Sequence, residues 1–122
     1  MQELNLGTEK FEIKKYASFG MISFTEHSKE RMRERGFSPI QIYEYLTEKN
    51  TTIVQYKEPN SYNNNYPRYV MYGKINKNPL HIVIEKKITH GIKQFEIVTV
   101  YEPSKKNFSH NGRYVKPARC RK

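Results

Sequence analysis

Six residues, Gly36-Phe37-Ser38-Pro39-Ile40-Gln41, constrain this chain more than any other stretch. Glycine readily takes the left-handed conformation that closes a helix. Ser38 then offers a side-chain acceptor at an N-cap, Pro39 fits the first helical position, and Gln41 completes a capping box. One helix must stop here and another must start, so two helices meet at a fixed corner. The first runs back to Thr25, a suitable N-cap, after the strand-like Gly20–Phe24. The second runs to about Lys49 and buries Ile40, Tyr43 and Leu46 or their near neighbours.

Beyond Lys49 the chain reads as strand. Thr51–Tyr56 leads into KEPNSYNNNYP, a polar loop rich in Asn, Pro and Tyr. Arg68–Ile75 and Leu80–Ile88 flank Asn-Lys-Asn-Pro, a hairpin turn. Gln94–Pro103 is the last strand and the most β-prone. At the N-terminus, residues 1 to about 10 read as frayed, with Phe11–Tyr16 as a short edge strand. Residues 104–122 form a basic tail without apolar periodicity. The order β-α-α-β-β-β-β predicts one α+β domain over residues 1–103, with two helices on one face of a mostly antiparallel sheet of four to five strands. A chain of 122 residues has room for one modest core.

The first helix is poor in core residues: Met32 stands among four basic and three acidic side chains in residues 26–35. At about 100° per residue, His27, Arg31 and Arg35 form one stripe beside a strip made by Phe24, Ser28 and Met32. The acidic residues Glu26, Glu30 and Glu34, with Lys29 and Arg33, face water and can pair with each other. The His27/Arg31/Arg35 stripe is expected half covered, over the rim of the sheet. A cation there needs a counter-charge or a phosphate. One outcome is that Arg31 and Arg35 pair with sheet carboxylates such as Glu96 or Glu102. The other is a site.

In the last strand, simple alternation places Phe95, Ile97, Thr99 and Tyr101 on one face and Glu96, Val98, Val100 and Glu102 on the other. Arg68 and Lys74 share a face with Val70 and Tyr72 and can reach over the sheet. His81 reads as a structural or exposed residue; His90 and His110 fall in a turn and in the tail. No His or Cys has metal-ligand spacing, so no metal and no cofactor are expected. The net charge of +10, 22 basic residues against 12 acidic, points to a polyanion, most simply nucleic acid. Cys120 alone excludes an internal disulfide framework and fits a reducing compartment. The N-terminus lacks the apolar region of a signal peptide. No stretch approaches the ~18 apolar residues of a membrane-spanning helix. The expected place of action is the cytoplasm, as a standalone protein, which the initial Met suits, or after delivery.

These residue types suit metal-free phosphodiester chemistry on RNA. His27 has a pKa near neutrality and can act as base or acid. Arg31 and Arg35 can hold a phosphate through forked hydrogen bonds. Tyr101 can donate or accept a proton or stack a base, and Thr99 adds a hydroxyl beside it. Arg68, Lys74 and Arg33 are the candidates for binding the rest of the substrate.

The run FTEHSKERMRERGFSPIQIYEYL, followed by RYVMYGKI, PLHIVIE and FEIVTVYEP, resembles the DUF4258 family of small bacterial proteins over roughly Met21 to Pro103. Those show a His-x-x-x-Arg-x-x-x-Arg-Gly helix, a Ser/Pro restart and a closing TVY strand. The resemblance implies a RelE/BrnT-like fold within the barnase–EndoU–colicin–RelE grouping. It also implies metal-independent RNA cleavage by a toxin, alone or as a domain of a larger secreted one, neutralised by an acidic antitoxin or immunity protein. The site positions it implies fall on His27, Arg31, Arg35, Thr99 and Tyr101. The insert at residues 57–67 and the basic tail depart from its pattern. Two other readings stand beside it: a non-catalytic module binding nucleic acid or protein, and an interaction protein working through the Tyr-rich loop.

Overall fold

The computed structural model describes residues 6–59, 66–103, 108–109 and 114–115. The centre of the Asn/Tyr-rich insert, and His110 and Cys120 in the tail, lie outside the described residues. The chain opens with helix α1 (Leu6–Ser18), then β1 (Ile22–Phe24), α2 (Glu26–Arg35) and α3 (Pro39–Thr47). Strands β2 (Thr52–Lys57), β3 (Arg68–Ile75), β4 (Asn78–Thr89) and β5 (Ile92–Tyr101) come next, then the short pair β6 (Phe108–Ser109) and β7 (Tyr114–Val115). The main sheet has the order β1-β5-β4-β3-β2, with β1 parallel to β5 and every other pairing antiparallel. This is the expected α+β arrangement of helices on a mostly antiparallel sheet, with a third helix added.

Local chemistry sets the corners. Thr25 caps α2 by accepting from the Ser28 amide, and Gly36, at φ 74°, ends it in the left-handed conformation. Both halves of the Ser38–Gln41 capping box are formed at the start of α3. Ile75 pairs with Asn78 across Asn76 and Lys77, both at positive φ, the signature of a two-residue type I′ turn. His90 and Gly91 repeat that turn between β4 and β5.

The helices pack on one face, where Tyr69, Met71, Leu80, Ile82, Ile84, Phe95 and Ile97 are buried. Each fully buried apolar side chain of this size contributes about 1.5–3 kcal/mol. Helix α3 supplies Ile42, Tyr45 and Leu46, whereas Ile40 remains 72% exposed, so the buried strip lies next to the expected one. Tyr45 threads its hydroxyl to the carbonyls of Met71 at 3.0 Å and Leu80 at 2.7 Å. It passes over Gly73, where an added Cβ would meet Thr51 Oγ1 at 2.5 Å. That close approach requires glycine.

Residues 6–18 correct the reading of a frayed end and an edge strand. They form a helix because Ile13, Tyr16 and Ala17 lie at helical spacing on one side. The Tyr16 ring meets Phe95 edge-on at 4.9 Å. Beside them Glu9 and Glu12 turn inward to Lys86, at 3.0 and 3.1 Å, while Lys93 reaches Glu12 at 2.6 Å. Burial opposes the charge on Lys86, but its hydrogen bonds to the two carboxylates outweigh that and raise its pKa. Burial likewise opposes the Glu12 carboxylate, and Lys93 and Lys86 reverse it, lowering the pKa. Tyr69 donates to Glu9 at 2.9 Å, and burial with this bond pushes its phenol far up.

Candidate functional site

The candidate site forms where α2 leaves the sheet edge and runs beside the C-terminal half of β5. Strand β1 pairs with Phe95–Ile97, after which the chain turns into the helix. The Thr25 amide donates to the Ile97 carbonyl at 3.0 Å, and its hydroxyl donates to the Val98 carbonyl at 3.1 Å. At the far end Arg35 Nη1 meets Glu102 Oε1 at 3.2 Å. Ten helical residues advance about 15 Å, and Val98 to Glu102 spans about 13 Å of strand. The two elements therefore keep pace, fixed at both ends. Ser28 and Met32 are buried along the helix, as the angular reading requires.

A bulge in β5 decides what faces this strip. Thr99 pairs with Val83, but Ile97 pairs with Ile84, leaving Val98 as the extra residue. The shift corrects the simple alternation. Val100 joins Phe95 and Ile97 in the core, while Thr99 and Tyr101 turn to the opposite face of the sheet. Tyr101 thus comes into line with His81 and Tyr72 across three strands. Its ring stands edge-on to His81 at 5.3 Å, and His81 edge-on to Tyr72 at 6.2 Å. Burial raises the Tyr101 pKa, so the phenol is protonated at neutral pH and acts as a donor.

The model of DUF4258, a domain of unknown function, matches residues 24–102, more than half of the chain. Its span runs from the last residue of β1 to the carboxylate that holds Arg35. The chain belongs to the DUF4258 family. No curated protein and no solved structure matches it.

Five expected site residues of this DUF4258 domain thus fall on two adjacent elements: His27, Arg31 and Arg35 on α2, Thr99 and Tyr101 on β5. They are not joined to one another by hydrogen bonds or ion pairs. His27 is exposed, and the Arg31 side chain, 45% exposed, makes only a loose 3.9 Å contact with Glu34. The expectation of a half-covered stripe therefore fits Arg35 alone, whose side chain is 28% exposed. His27 and Arg31 project further from the sheet, lining a shallow depression with Glu30 and Glu34.

The expected substrate-binding residues do not gather there. Arg68 is committed to Glu85 at 2.8 Å, and Lys87 bridges Glu85 to Glu96. Four steps along β4, from Glu85 to His81, separate that cluster from the His81–Tyr101 pair, about 13 Å. Lys74 is exposed at the other end of β3, and Arg33 lies exposed on the outer side of α2. His81, which the sequence suggests is structural or exposed, is fully buried between the two tyrosines. The signal for this is a lone polar residue amid Leu80, Ile82, Val83 and Ile84, where burial on both sheet faces is expected.

Proposed function

We propose that this DUF4258 domain is a metal-independent endoribonuclease that acts as a toxin, on the RelE/BrnT-like scaffold its sequence resembles. An acidic antitoxin or immunity protein would hold it in check. The observation that carries the reading is the α2–β5 strip. Two accessible side chains, His27 and Arg31, stand on a helix fixed at both ends beside β5, the strand that carries Thr99 and Tyr101. The net charge of +10 favours an RNA partner.

In this mechanism neutral His27 removes the proton from the RNA 2′-hydroxyl, and the 2′-oxygen attacks phosphorus. The bond to the 5′-oxygen breaks, leaving a 2′,3′-cyclic phosphate, and the departing oxygen takes a proton from water. Arg31 and Arg35 carry the charge that builds on the phosphoryl oxygens. The Arg31–Glu34 contact is no obstacle, because an exposed helix pair is worth only about 0.3–0.5 kcal/mol. Hydrogen bonds to a charged phosphate are worth about 1.5–3 kcal/mol. RNA cleavage in the cytoplasm, by a free protein or by a delivered domain, is the activity this reading assigns.

A binding module without cleavage is the second reading. One observation favours it: His27 has no hydrogen-bond partner among the described residues to orient its ring, whereas a catalytic base is normally oriented by a third group. Incubation of the purified protein with total RNA in EDTA, beside His27→Ala, separates the two. Fragments from the wild type alone support the nuclease. Intact RNA in both, with binding that weakens steeply as salt rises, supports the binding module.

A further inference from the structure

The sheet end that carries Tyr101 also carries a groove on its far side, between the Glu48–Thr51 turn and the Tyr72–Lys74 end of β3, with Lys77 lining it too. Three features give it one character. First, Lys74 and Lys77 are exposed and enter no ion pair among the described residues. Exposed Lys49 sits in the turn that forms one wall, and Lys14 donates to the Glu48 carbonyl beneath it. Second, the acidic group in the wall is already engaged, since Glu48 Oε1 accepts from the Asn50 amide at 3.2 Å. Third, the groove borders open backbone. The two-residue turn makes Ile75 and Asn78 exchange their hydrogen bonds, so the neighbouring Lys74 amide points the other way. Strand β2 begins only at Thr52, opposite Tyr72, so among the described residues no strand pairs with β3 on that side beyond Tyr72.

We infer that this groove is a second phosphate-binding subsite, which takes the backbone of a single-stranded nucleic acid through Lys74, Lys77 and the edge amide of Lys74. It deepens the reading of RNA as the substrate and rests on it. Tyr72 lines the groove and begins the row Tyr72–His81–Tyr101, which crosses the sheet to β5. The tyrosines stand on strands two places apart, about 10 Å. In this reading one phosphate of the strand meets Arg31 on α2 and another, further along, meets the lysines at the end of β3. The strip cuts; the groove holds.

The test measures binding of a 2′-deoxy oligonucleotide, which cannot be cleaved through a 2′-hydroxyl, as a function of salt. Three proteins are compared: wild type, Lys74→Gln/Lys77→Asn, and the control Lys15→Gln/Lys57→Gln, which removes two exposed charges elsewhere. Asparagine is used at position 77 because it tolerates the positive φ there. Two lost phosphate contacts should flatten the slope of log affinity against log salt by about 1.4, at roughly 0.7 per contact on a single strand. The control should keep the wild-type slope. An unchanged slope in the groove variant, or an equal fall in the control, overturns the subsite. The nuclease reading fails separately, if His27→Ala cuts RNA as well as the wild type does; the groove result stands whatever that assay gives.

Discussion

Helices α1 and α2 both carry many charged residues, yet they use their charges in opposite ways. Helix α1 turns Glu9 and Glu12 inward onto Lys86, Lys93 and Tyr69, where each charge has a partner and all but Lys93 are largely covered. Helix α2 turns Ser28 and Met32 inward and leaves His27 and Arg31 in solvent, with only a loose contact within the helix. Charge that is buried and paired holds an element down, and its removal strands the partner. Charge that is accessible and weakly paired costs the fold almost nothing to lose. The difference separates side chains that hold the fold from side chains that are free to meet a ligand.

The sharpest way to break this comparison is at His27. His27→Ala should cut RNA cleavage by about 100-fold or more, the range for loss of a general base, with an unchanged urea midpoint. Comparable cleavage by both proteins would return α2 to the status of a solvated helix. Next in size is Lys86→Ala. Breaking a buried pair costs about 3–5 kcal/mol; the cluster keeps some access to water, so a loss near about 3 kcal/mol is expected in urea unfolding. A loss below about 1 kcal/mol would mean that α1 is held by Ile13, Tyr16 and Ala17 alone.

A smaller effect is expected from pH. The folded-state pKa of Glu12 lies below its ordinary value of 4.5, so its contribution is complete above pH 4.5 and fades as pH falls through the folded value. Glu12→Gln should remove part of the acid-induced loss of stability below pH 4.5. Lys86 runs the other way: its raised pKa supports the fold below pH 10.5 and that support is lost at higher pH. Equal acid sensitivity in Glu12→Gln and wild type would contradict the pairing. The smallest effect is on α2, where Arg31→Ala should change stability by less than about 0.5 kcal/mol.

The same contrast explains what is legible in the sequence. Side chains that act on their own neighbours can be read: Thr25, Gly36, Ser38 and Gln41 fix two helix ends, and Arg68–Ile75 emerges with its expected bounds. Helix α1 is hidden because two of its inward residues are glutamates, satisfied by lysines more than 70 positions away. No hydropathy pattern records such a bargain. The direction of Thr99 and Tyr101 escapes the sequence for a different reason. A bulge depends on how β4 pairs with β5, and alternation along one strand carries no mark of its partner. Of the candidate site residues on α2, only Arg35 takes the half-covered place that the spacing leads one to expect. The burial of His81 between two tyrosines requires the register of three strands.

The bulge at Val98 also divides β5 into two tenants on one backbone. Upstream of it, odd-numbered positions belong to the core; downstream, even-numbered ones do. Substitutions at Thr99 and Tyr101 can therefore alter the outer face of β5 while Phe95, Ile97 and Val100 keep the interior filled. Deleting Val98 would leave Ile97 directly before Thr99 in regular alternation, with Val100 still inward and Thr99 and Tyr101 still outward. What the deletion would remove is the Val98 carbonyl that accepts from the Thr25 hydroxyl, so its cost falls on the start of α2 and not on the core.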